Sequence, residues 1–383
     1  MATSPCPHFP DCAACALSGQ AYGDQLRAKH RRLADSLAAY PTLAPLAVPD
    51  VIGSQRLFGY RNVAKLVARR TGRGLLLGVY RPGSHQVVDV GNCVVHQPPI
   101  PAVLAAVRNE LERAAVPTYD ERDGSGWLRY VVVRSSGWKH TAQLIPVVRD
   151  RAWAGERELL KRLRAVRGVS SIVLNVNPTP GNVILSDTFV PVTHETALLE
   201  RIGGLRLKSS AGSFLQANIA NARRAYERVL LWANPQPEEV AVDLYAGVGA
   251  ISFYLAGSAR RVVGVEESAI AVGDAKQNIR LNGYHNVHFV AAPAAVGLAS
   301  AASDFGRIDI VTLNPPRKGA DEATRATILA CAPSRIVYVS CEPSTLARDL
   351  DWLAARGYRV TALQPYDFLP QTEHVETVAL LEK

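Results

Sequence analysis

The second half of the chain alternates strand-like and helix-like segments with a regularity that few folds allow. From about Ser209 onward, helical stretches separate strand-like runs at residues 239–246, 261–267, 286–292, 308–314, 335–342, 358–366 and 373–381. This alternation predicts an α/β fold with a mostly parallel seven-stranded sheet and helices on both faces. The last two runs have a short connection, so we expect them to pair antiparallel.

The first half follows a different pattern. From Val51 to about Leu207, helical stretches at 101–115 and 156–166 interrupt short strand-like runs at 62–70, 75–80, 127–134, 140–146, 171–177 and 182–186. This pattern is typical of an α+β domain with an antiparallel sheet. We therefore predict three segments: a cysteine-rich N-terminal segment with a basic helix at 1–50, a central α+β domain at 51–208 and an α/β domain at 209–383.

Basic residues outnumber acidic ones, which bears on the kind of molecule that the protein binds. The net charge is +9 and the pI is near 9.3, values that suit RNA but are equally explained by an arginine-rich proteome. A helix predicted from Tyr22 to Tyr40 carries Lys29 and Arg32, and a solvated basic face is its default interpretation. Residues such as Arg61 and Arg129 are candidates to follow an RNA backbone, although an ordinary surface role is the default for each.

No segment of the sequence predicts a membrane span. The chain lacks a run of eighteen apolar residues, and prolines and polar residues stand where a signal peptide would need an apolar stretch. The expectation is a soluble protein of the cytoplasm.

Cys341 follows an apolar, β-branched run that ends at Ser340, and Pro343 is placed to start a helix. In an open α/β sheet, the carboxyl end of a strand is the edge where ligands bind, and a helix N-terminus favours thiolate over thiol. An arbitrary buried cysteine is more often a small hydrophobic residue. The argument for a nucleophile therefore depends on two neighbouring sequences, Asn-Pro-Pro-Arg at 314–317 and His-Val-Glu at 374–376.

A glycine turn follows the first strand of the second half. Residues 243–249, Asp-Leu-Tyr-Ala-Gly-Val-Gly, leave a hydrophobic strand and open a helix, as a nucleotide-like ligand requires. The turn lacks the third glycine of a dinucleotide fingerprint, which disfavours NAD. Glu266 ends the next strand and is placed to accept hydrogen bonds from ribose hydroxyls.

Three cysteines lie close together near the N-terminus. Cys6, Cys12 and Cys15 form a C-x5-C-x2-C arrangement among prolines, which predicts a loop that can wrap a soft metal centre. Cys93, after a Gly-Asn turn, is a candidate fourth ligand, while Cys331 lies on a predicted helix. Zinc also accepts four cysteines, but its structural sites usually use two C-x2-C pairs, so the single pair leans toward iron–sulfur.

Three ordered blocks of the chain resemble the signature motifs of the RNA uracil-C5 methyltransferases. They are Asn-Pro-Pro-Arg-Lys-Gly at 314–319, Tyr-Val-Ser-Cys at 338–341 with Thr345, and Asp-Phe-Leu-Pro-Gln-Thr-Glu-His-Val-Glu at 367–376. The resemblance implies a class I, Rossmann-like methyltransferase fold with S-adenosyl-L-methionine as cofactor in the catalytic domain at 209–383. It also implies that the domain at 51–208 binds RNA and carries an iron–sulfur site. By the same resemblance, the positions that contact this cofactor are Gln216, Tyr245, Glu266 and Asn314.

The resemblance also implies a metal cofactor. Several members of the family carry a [4Fe-4S] cluster on a similar cysteine pattern, and the matching positions here are Cys6, Cys12, Cys15 and Cys93.

The resemblance divides the chemistry between Cys341 and Glu376. Uracil C5 is a weak nucleophile, and a thiolate that adds to C6 converts the ring to an enolate whose C5 can attack a sulfonium methyl group. A general base must then remove the C5 proton before the thiol can leave. Cys341 matches the nucleophile and Glu376 the base. Arg317 is expected to hold a substrate phosphate or the uracil carbonyl, or else to pair with a carboxylate.

Within the family, the pattern is most similar to the RlmC-type 23S ribosomal RNA methyltransferases. The cluster cysteines begin at Cys6, so we expect this chain to lack the β-barrel module that precedes them in other members, and Asn314 replaces the commoner aspartate. The expected target is a uracil of 23S rRNA, with tRNA as the alternative, and the expected state is a monomer. Ala250 and Glu342 differ from relatives, which motivates a further alternative, a non-catalytic RNA-binding factor. A radical iron–sulfur enzyme is disfavoured because its C-x3-C-x2-C spacing is absent.

Overall fold

The structure is a computed structural model that describes residues 6–181 and 183–383. It divides the chain into two compact units. Unit 1 comprises the described residues of Met1–Gln20, Arg56–Arg201 and Ser209–Gly212, and unit 2 comprises Ala21–Gln55, Ile202–Lys208 and Ser213–Lys383. The boundaries predicted at 50/51 and 208/209 do not coincide with these units, because residues 21–55 belong to unit 2.

Unit 1 contains a mixed β-sheet and two helices. Its elements are β1 (Val63–Thr71), β2 (Gly74–Tyr80), β3 (Val87–Asp89), α2 (Ile100–Arg113), β4 (Leu128–Ser136), β5 (Thr141–Val148), α3 (Glu156–Arg164), β6 (Val169–Val176) and β7 (Phe189–Pro191). The strand order is β3-β2-β1-β4-β5-β6-β7. Among the named strands of the described part of unit 1, only β5 and β6 pair in parallel. The prediction of an antiparallel sheet is wrong for this pair, because α3 crosses over between the two strands.

The strand predicted at residues 182–186 is absent from the described part of that range. Asn182 lies outside the described residues, and 183–186 are not in a strand. Backbone groups that would pair with another strand instead bond to asparagine side chains. Asn177 Nδ2 donates to the carbonyls of Val183 (2.7 Å) and Ile184 (3.1 Å). Asn175 Oδ1 accepts from the Ser186 amide at 3.0 Å. The strand that pairs with β6 is instead β7.

Arg129 lies inside unit 1, although the sequence made it a candidate for the RNA-facing surface. Its guanidinium donates to the backbone carbonyls of Asn177 (2.7 Å), Thr179 (2.6 Å) and Gly181 (3.1 Å). The residue is only 4% exposed. The expectation that Arg129 follows an RNA backbone is therefore wrong, since the residue is buried and its Nη1 and Nη2 groups hold a loop.

Unit 2 alternates strands and helices after an N-terminal helix. Its elements are α1 (Tyr22–Ala38), α4 (Ile219–Ala233), β10 (Val240–Leu244), α5 (Ala250–Ala256), β11 (Arg261–Glu266), α6 (Ala269–Asn282), β12 (Val287–Ala291), α7 (Ala294–Phe305), β13 (Ile310–Leu313), α8 (Glu322–Cys331), β14 (Arg335–Ser340), α9 (Pro343–Ala354), β15 (Arg359–Tyr366) and β16 (Glu376–Glu382). Strands β8 (Ala197–Ile202) and β9 (Leu205–Ser210) lie where the chain passes between the units.

The sheet of unit 2 has the strand order β12-β11-β10-β13-β14-β16-β15. The pairs from β12 through β14 are parallel, whereas β16 pairs antiparallel with both β14 and β15. The sheet is therefore mixed, and the antiparallel pairing expected for the last two strands is confirmed. Buried apolar residues cover both of its faces. Within residues 6–181 and 183–383, no helix combines the length and apolarity needed to cross a membrane.

Helix α1 is basic but not simply solvated. Its buried residues recur every four positions and include two polar ones, Gln25 and Lys29, followed by Leu33 and Leu37. This spacing places one face of the helix against unit 2, since residues four apart share a side. The interpretation of Lys29 as part of a solvated face is wrong, because the residue is 1% exposed.

Candidate active site

Four of the residues singled out from the sequence lie at one edge of the unit 2 sheet. Tyr245 follows β10, Glu266 ends β11, Asn314 follows β13 and Cys341 follows β14. These strands are parallel, so their carboxyl ends meet at the edge where open α/β sheets bind ligands. The Asn314 amide also donates to the carbonyl of Leu244 at 3.3 Å, which joins two of these strand ends.

The predicted nucleophile and the predicted base are neighbours across two strands. Ser340 pairs with Thr377 in the antiparallel ladder between β14 and β16, so the next pair of positions along the ladder is Cys341 and Glu376. Their side chains interact, because the Glu376 carboxylate acts electrostatically on the Cys341 thiol. The structure therefore brings together two residues that the sequence separates.

Glu376 is buried and only partly satisfied. The residue is 6% exposed, and this burial raises the pKa of its carboxyl to about 7. Within the part of the chain that the structure describes, Glu376 Oε1 has no hydrogen-bond partner. An unpaired buried carboxyl oxygen costs free energy, and a carboxyl that titrates near neutrality is suited to proton transfer.

Cys341 is held as a thiol in the substrate-free protein. Burial is the largest cause and the Glu376 carboxylate the next, and together they raise the pKa of the Cys341 thiol to about 11, while the Arg317 guanidinium opposes them. The expectation that the N-terminus of α9 would favour the thiolate is wrong in this state, because burial and a neighbouring carboxylate outweigh the helix. Pro343 does begin α9, as predicted.

Arg317 lies beside His374. Its Nη2 and His374 Nε2 are 3.0 Å apart. Burial, followed by Arg317, lowers the pKa of the imidazole, so the neutral ring accepts a hydrogen bond from the guanidinium. Thr345 Oγ1 donates to the Arg317 carbonyl at 3.0 Å, which fixes the backbone of the loop. Arg317 is thus placed to act on Cys341 from the end of the neighbouring strand.

The glycine turn and Glu266 form a second part of the same edge. Glu266 Oε2 accepts from the Gly247 amide and Oε1 from the Ser268 amide, both at 2.9 Å. Gly249 has φ of 93°, and a Cβ there would lie 2.5 Å from Cζ of Phe289, so only glycine fits. The Tyr245 hydroxyl lies 3.5 Å from Thr324 Oγ1. The turn is therefore held open by backbone conformation and by the carboxylate.

Asp243 supports this turn from inside the sheet, a role that the sequence did not assign. Ser252 Oγ and Thr312 Oγ1 donate to its carboxylate at 2.6 and 2.7 Å. Burial raises the pKa of the Asp243 carboxyl to about 6, and the two hydroxyls oppose the rise. A carboxylate within the apolar strand β10 was the available signal.

Tyr226 is a further residue that the sequence missed. Its buried hydroxyl shares a hydrogen bond with Gln216 and also interacts with the carboxylates of Glu376 and Asp243. Burial and then these charges raise the Tyr226 pKa above its ordinary value, so the hydroxyl stays protonated. The sequence offered only the apolar face of α4, which predicts a core residue.

The four cysteines predicted to bind a metal centre, Cys6, Cys12, Cys15 and Cys93, form a separate group in unit 1. Burial, and then the thiols of Cys93, Cys12 and Cys6, raise the pKa of Cys15 to about 12. His8 Nε2 and Asn92 Oδ1 are 2.7 Å apart, which ties the N-terminal loop to the turn before Cys93. Residues 6–181 and 183–383 hold no group of three or more His, Cys, Asp or Glu side chains arranged to bind a metal ion. The four thiols are thus neighbours, without forming a single-ion site.

Comparison with known proteins places this geometry in a family. A family model described as tRNA (Uracil-5-)-methyltransferase matches residues 201–383. An uncharacterized RNA methyltransferase of Geobacter sulfurreducens is 43% identical over 384 residues, which cover 100% of this chain and 78% of that protein. The chain belongs to the RNA uracil-C5 methyltransferase family. A second member, an uncharacterized RNA methyltransferase of Halalkalibacterium halodurans, is 37% identical. The match covers 99% of this chain and 83% of that protein.

A solved structure agrees with this family assignment. The tRNA (uracil-54, C5)-methyltransferase of Pyrococcus abyssi, in complex with S-adenosyl-L-homocysteine, has a TM-score of 0.77 to this chain. The two are 25% identical, and the match covers 97% of this chain and 86% of the other. The chain is thus an S-adenosylmethionine-dependent RNA methyltransferase with the α/β methyltransferase fold.

Proposed function

We propose that this RNA methyltransferase converts a uracil to 5-methyluracil through covalent addition of Cys341 and proton removal by Glu376. The observation that carries the proposal is the adjacency of these two side chains across β14 and β16. Addition at C6 and proton removal at C5 act on adjacent atoms of one ring, so the two groups must lie side by side.

The roles of the protein groups follow from their charges. The Cys341 thiol loses its proton to water, and the thiolate attacks C6, which forms the S–C6 bond and moves the electrons of the C5–C6 double bond toward the C4 carbonyl. The Arg317 guanidinium favours the thiolate at this step, because it opposes the other influences on the thiol pKa. S-adenosyl-L-methionine, when bound, supplies the methyl group that C5 takes. Glu376 then removes the C5 proton, the C5–C6 double bond re-forms and the S–C6 bond breaks.

We assign the cofactor to the edge formed by Tyr245, Glu266 and Asn314, with Gln216, which bonds to the Tyr226 hydroxyl, as a further contact. The chemistry of these groups fits S-adenosyl-L-methionine: a carboxylate suits ribose hydroxyls, and amides can bond the polar groups of the amino acid and adenine moieties. The glycine turn supports the assignment, since Gly247 has a positive φ and open space where a Cβ would lie, and its amide bonds the Glu266 carboxylate.

The experiment that tests the catalytic proposal uses RNA containing 5-fluorouridine. Fluorine at C5 cannot be removed as a proton, so addition and methyl transfer should leave the protein covalently joined to the RNA. We expect an adduct with the wild type plus S-adenosyl-L-methionine, none with Cys341→Ala, and a wild-type adduct with the control Cys331→Ala. An adduct in Cys341→Ala would refute the nucleophile assignment. Failure of every unmodified RNA to accept a methyl group would instead favour the non-catalytic RNA-binding factor.

We propose 23S ribosomal RNA as the target, with tRNA as the second candidate. The resemblance to the RlmC-type enzymes supports rRNA, whereas the family description and the Pyrococcus abyssi neighbour, a tRNA methyltransferase, favour tRNA. Mapping 5-methyluridine in the rRNA and tRNA of a strain that lacks the gene distinguishes them, since the missing modification identifies the substrate.

We also propose that Cys6, Cys12, Cys15 and Cys93 hold a [4Fe-4S] cluster. Each of the four irons takes one cysteine, so the sulfurs need not converge on one point as they must for a single ion. The mutual effect of the four thiols on the Cys15 pKa supports their proximity. Iron and acid-labile sulfide in anaerobically purified protein would support the cluster, whereas zinc without sulfide would assign a zinc site.

A further inference from the structure

Helix α1 bonds to both segments that carry the catalytic groups. The Arg32 guanidinium donates from Nη2 to Oε1 and Oε2 of Glu342, both at 3.0 Å, and from Nη1 to the carbonyl of Glu373 at 3.0 Å. Glu342 follows Cys341 directly, and Glu373 lies shortly before Glu376. A single side chain, 310 residues earlier than Glu342, therefore joins the segment of the nucleophile to the segment of the base.

The position of α1 is fixed by a buried ion pair. Lys29 and Asp367 form this pair with both side chains fully buried, and Lys29 Nζ also donates to the Leu369 carbonyl at 3.0 Å. Gln25 exchanges two hydrogen bonds of 3.0 Å with Gln371. Because removal of either partner would leave an uncompensated buried charge, α1 cannot slide freely along the segment that leads to Glu376.

Glu342, the carboxylate partner of Arg32, is also held by hydrogen bonds within its own segment. The Glu342 amide donates to Ser340 Oγ at 3.1 Å, and Ser344 Oγ donates to Glu342 Oε1 at 3.2 Å. The Glu342 carboxylate is therefore oriented from its own loop as well as from α1. A guanidinium suits this contact because its planar fork can bond both carboxylate oxygens and a carbonyl at the same time.

We propose that Arg32 is a positioning residue of the methylation site: by joining Glu342 to the Glu373 backbone, it sets the separation between the Cys341 thiol and the Glu376 carboxylate. The inference rests on the proposed function. A uracil must present C6 to the thiol and its C5 proton to the carboxylate, and a small displacement slows such steps strongly. Cofactor binding at the ends of β10 and β11 is served by other residues and should be preserved.

Kinetics of methyl transfer provide the first test. Arg32→Ala should lower kcat by about tenfold or more, with the KM for S-adenosyl-L-methionine unchanged within about twofold. Arg32→Lys should restore only part of the loss, since an ammonium cannot make the forked contact. The matched control is Arg31→Ala on the exposed side of the same helix, which should behave as wild type. A kcat for Arg32→Ala within twofold of wild type would overturn the inference.

A double-mutant cycle separates a shared contact from two independent effects. Glu342→Ala alone should lower kcat less than Arg32→Ala, because the bond to the Glu373 carbonyl remains. The double variant should be no slower than Arg32→Ala alone, since the two residues act through one interaction. Effects that multiply would overturn the inference.

Alkylation of Cys341 gives a readout that needs no RNA. Cys341 is faced by Glu376 from β16, by Arg317 from the loop after β13 and by Glu342 from its own segment. At one fixed pH, iodoacetamide should react more slowly with Cys341 in Arg32→Ala, where Glu342 loses its partner, and faster in Glu342→Ala, by about twofold or more in each direction. Rates equal to wild type in both variants would overturn the inference. If the alkylation rate falls in Arg32→Ala and rises in Glu342→Ala, but the wild type methylates no RNA, the proposed function alone would be rejected.

Discussion

The protein has two cysteine sites. Burial raises the thiol pKa in both, but the groups around the thiols differ. In unit 1, the pKa of Cys15 is raised to about 12, by burial and then by three other thiols. In unit 2, the pKa of Cys341 is raised to about 11, by burial and then by a carboxylate, and a guanidinium opposes the rise. Burial dominates both sites, so the thiol pKa alone does not tell a ligand from a nucleophile.

The chemical groups around each thiol distinguish the two sites. The thiols of unit 1 affect one another, and a group of thiols suits a soft metal centre. Cys341 faces Glu376, whose carboxyl titrates near neutrality, and Arg317, which favours the thiolate. Unit 2 therefore brings a thiol, a carboxyl group and a guanidinium close enough to influence one another, and these are the groups that the proposed addition and elimination would use.

The largest effect is expected from replacing Glu376, the carboxyl group that lies beside Cys341 and has no counterpart among the described thiols of unit 1. Glu376→Gln should lower kcat by about a hundredfold or more and should accumulate the covalent adduct on ordinary uridine RNA, because the C5 proton has no acceptor. Alkylation of Cys341 should become faster as the neighbouring charge is lost, whereas alkylation of Cys15 should not change. Peptide mass spectrometry reports both cysteines in one experiment.

The control for this prediction is Glu373→Gln, which removes the same charge from an exposed side chain on the same segment. It should leave kcat and the reactivity of Cys341 near the wild-type values. Rapid release of methylated RNA by Glu376→Gln would show that another group is the base, and the contrast between the two cysteine sites would then lose its chemical basis.

The pH dependence should follow the Glu376 carboxyl. Its pKa in the folded protein is raised to about 7, so the carboxylate needed for proton removal is present above that pH and is lost below it. We expect release of methylated product from a preformed covalent adduct to slow about tenfold for each pH unit below 7, with this acid limb absent from the residual rate of Glu376→Gln. An acid limb that persists in that variant would assign the titration to another group.

Much of unit 2 could be predicted from the sequence because its signals are local. The strand–helix alternation, the start of α9 at Pro343 and the positions of Cys341 and Glu376 within their motifs all depend on short stretches of chain. The direction of the Cys341 pKa could not be predicted. It depends on burial and on Glu376, which only the β14–β16 pairing brings near, and these outweigh the helix N-terminus that the sequence does show.

Other features were missed because they join distant residues. Lys29 is one of several basic residues on α1, and the sequence does not show that Asp367 is its buried partner. Tyr226 resembles a core residue until the fold places its hydroxyl beside Gln216. In unit 1, the parallel pairing of β5 and β6 depends on the crossover through α3, which the strand-like pattern alone does not distinguish from a hairpin.

A moderate effect is expected from disturbing the thiols of unit 1. Cys12→Ser should lower the iron content by about half or more if the four cysteines ligate a cluster, because serine is a poor substitute for a thiolate. The reactivity of Cys341 toward iodoacetamide should stay at the wild-type value, since its pKa is set within unit 2. The control is Cys331→Ser, a half-buried cysteine at the end of α8, which should retain full iron. Equal iron in both variants would exclude Cys12 as a ligand.

The smallest expected effect is at Tyr226, which lies near the acid of unit 2 but is not placed to act as a base. Its pKa is raised above the ordinary value, so the hydroxyl remains protonated and serves to hold Gln216. Tyr226→Phe should therefore weaken binding of S-adenosyl-L-methionine by about threefold, the worth of one neutral hydrogen bond, with kcat and the acid limb of the pH profile unchanged.

The matched control for this last prediction is Tyr254→Phe. The Tyr254 ring packs against Tyr226 with centroids 6.0 Å apart, but its hydroxyl has no hydrogen-bond partner among the described residues. Removing that hydroxyl should leave cofactor affinity, measured by calorimetry, at the wild-type value. If Tyr226→Phe instead shifted the acid limb, the tyrosine would take part in the proton transfer, and the chemistry of the Cys341 site would involve a third group besides Glu376 and Arg317.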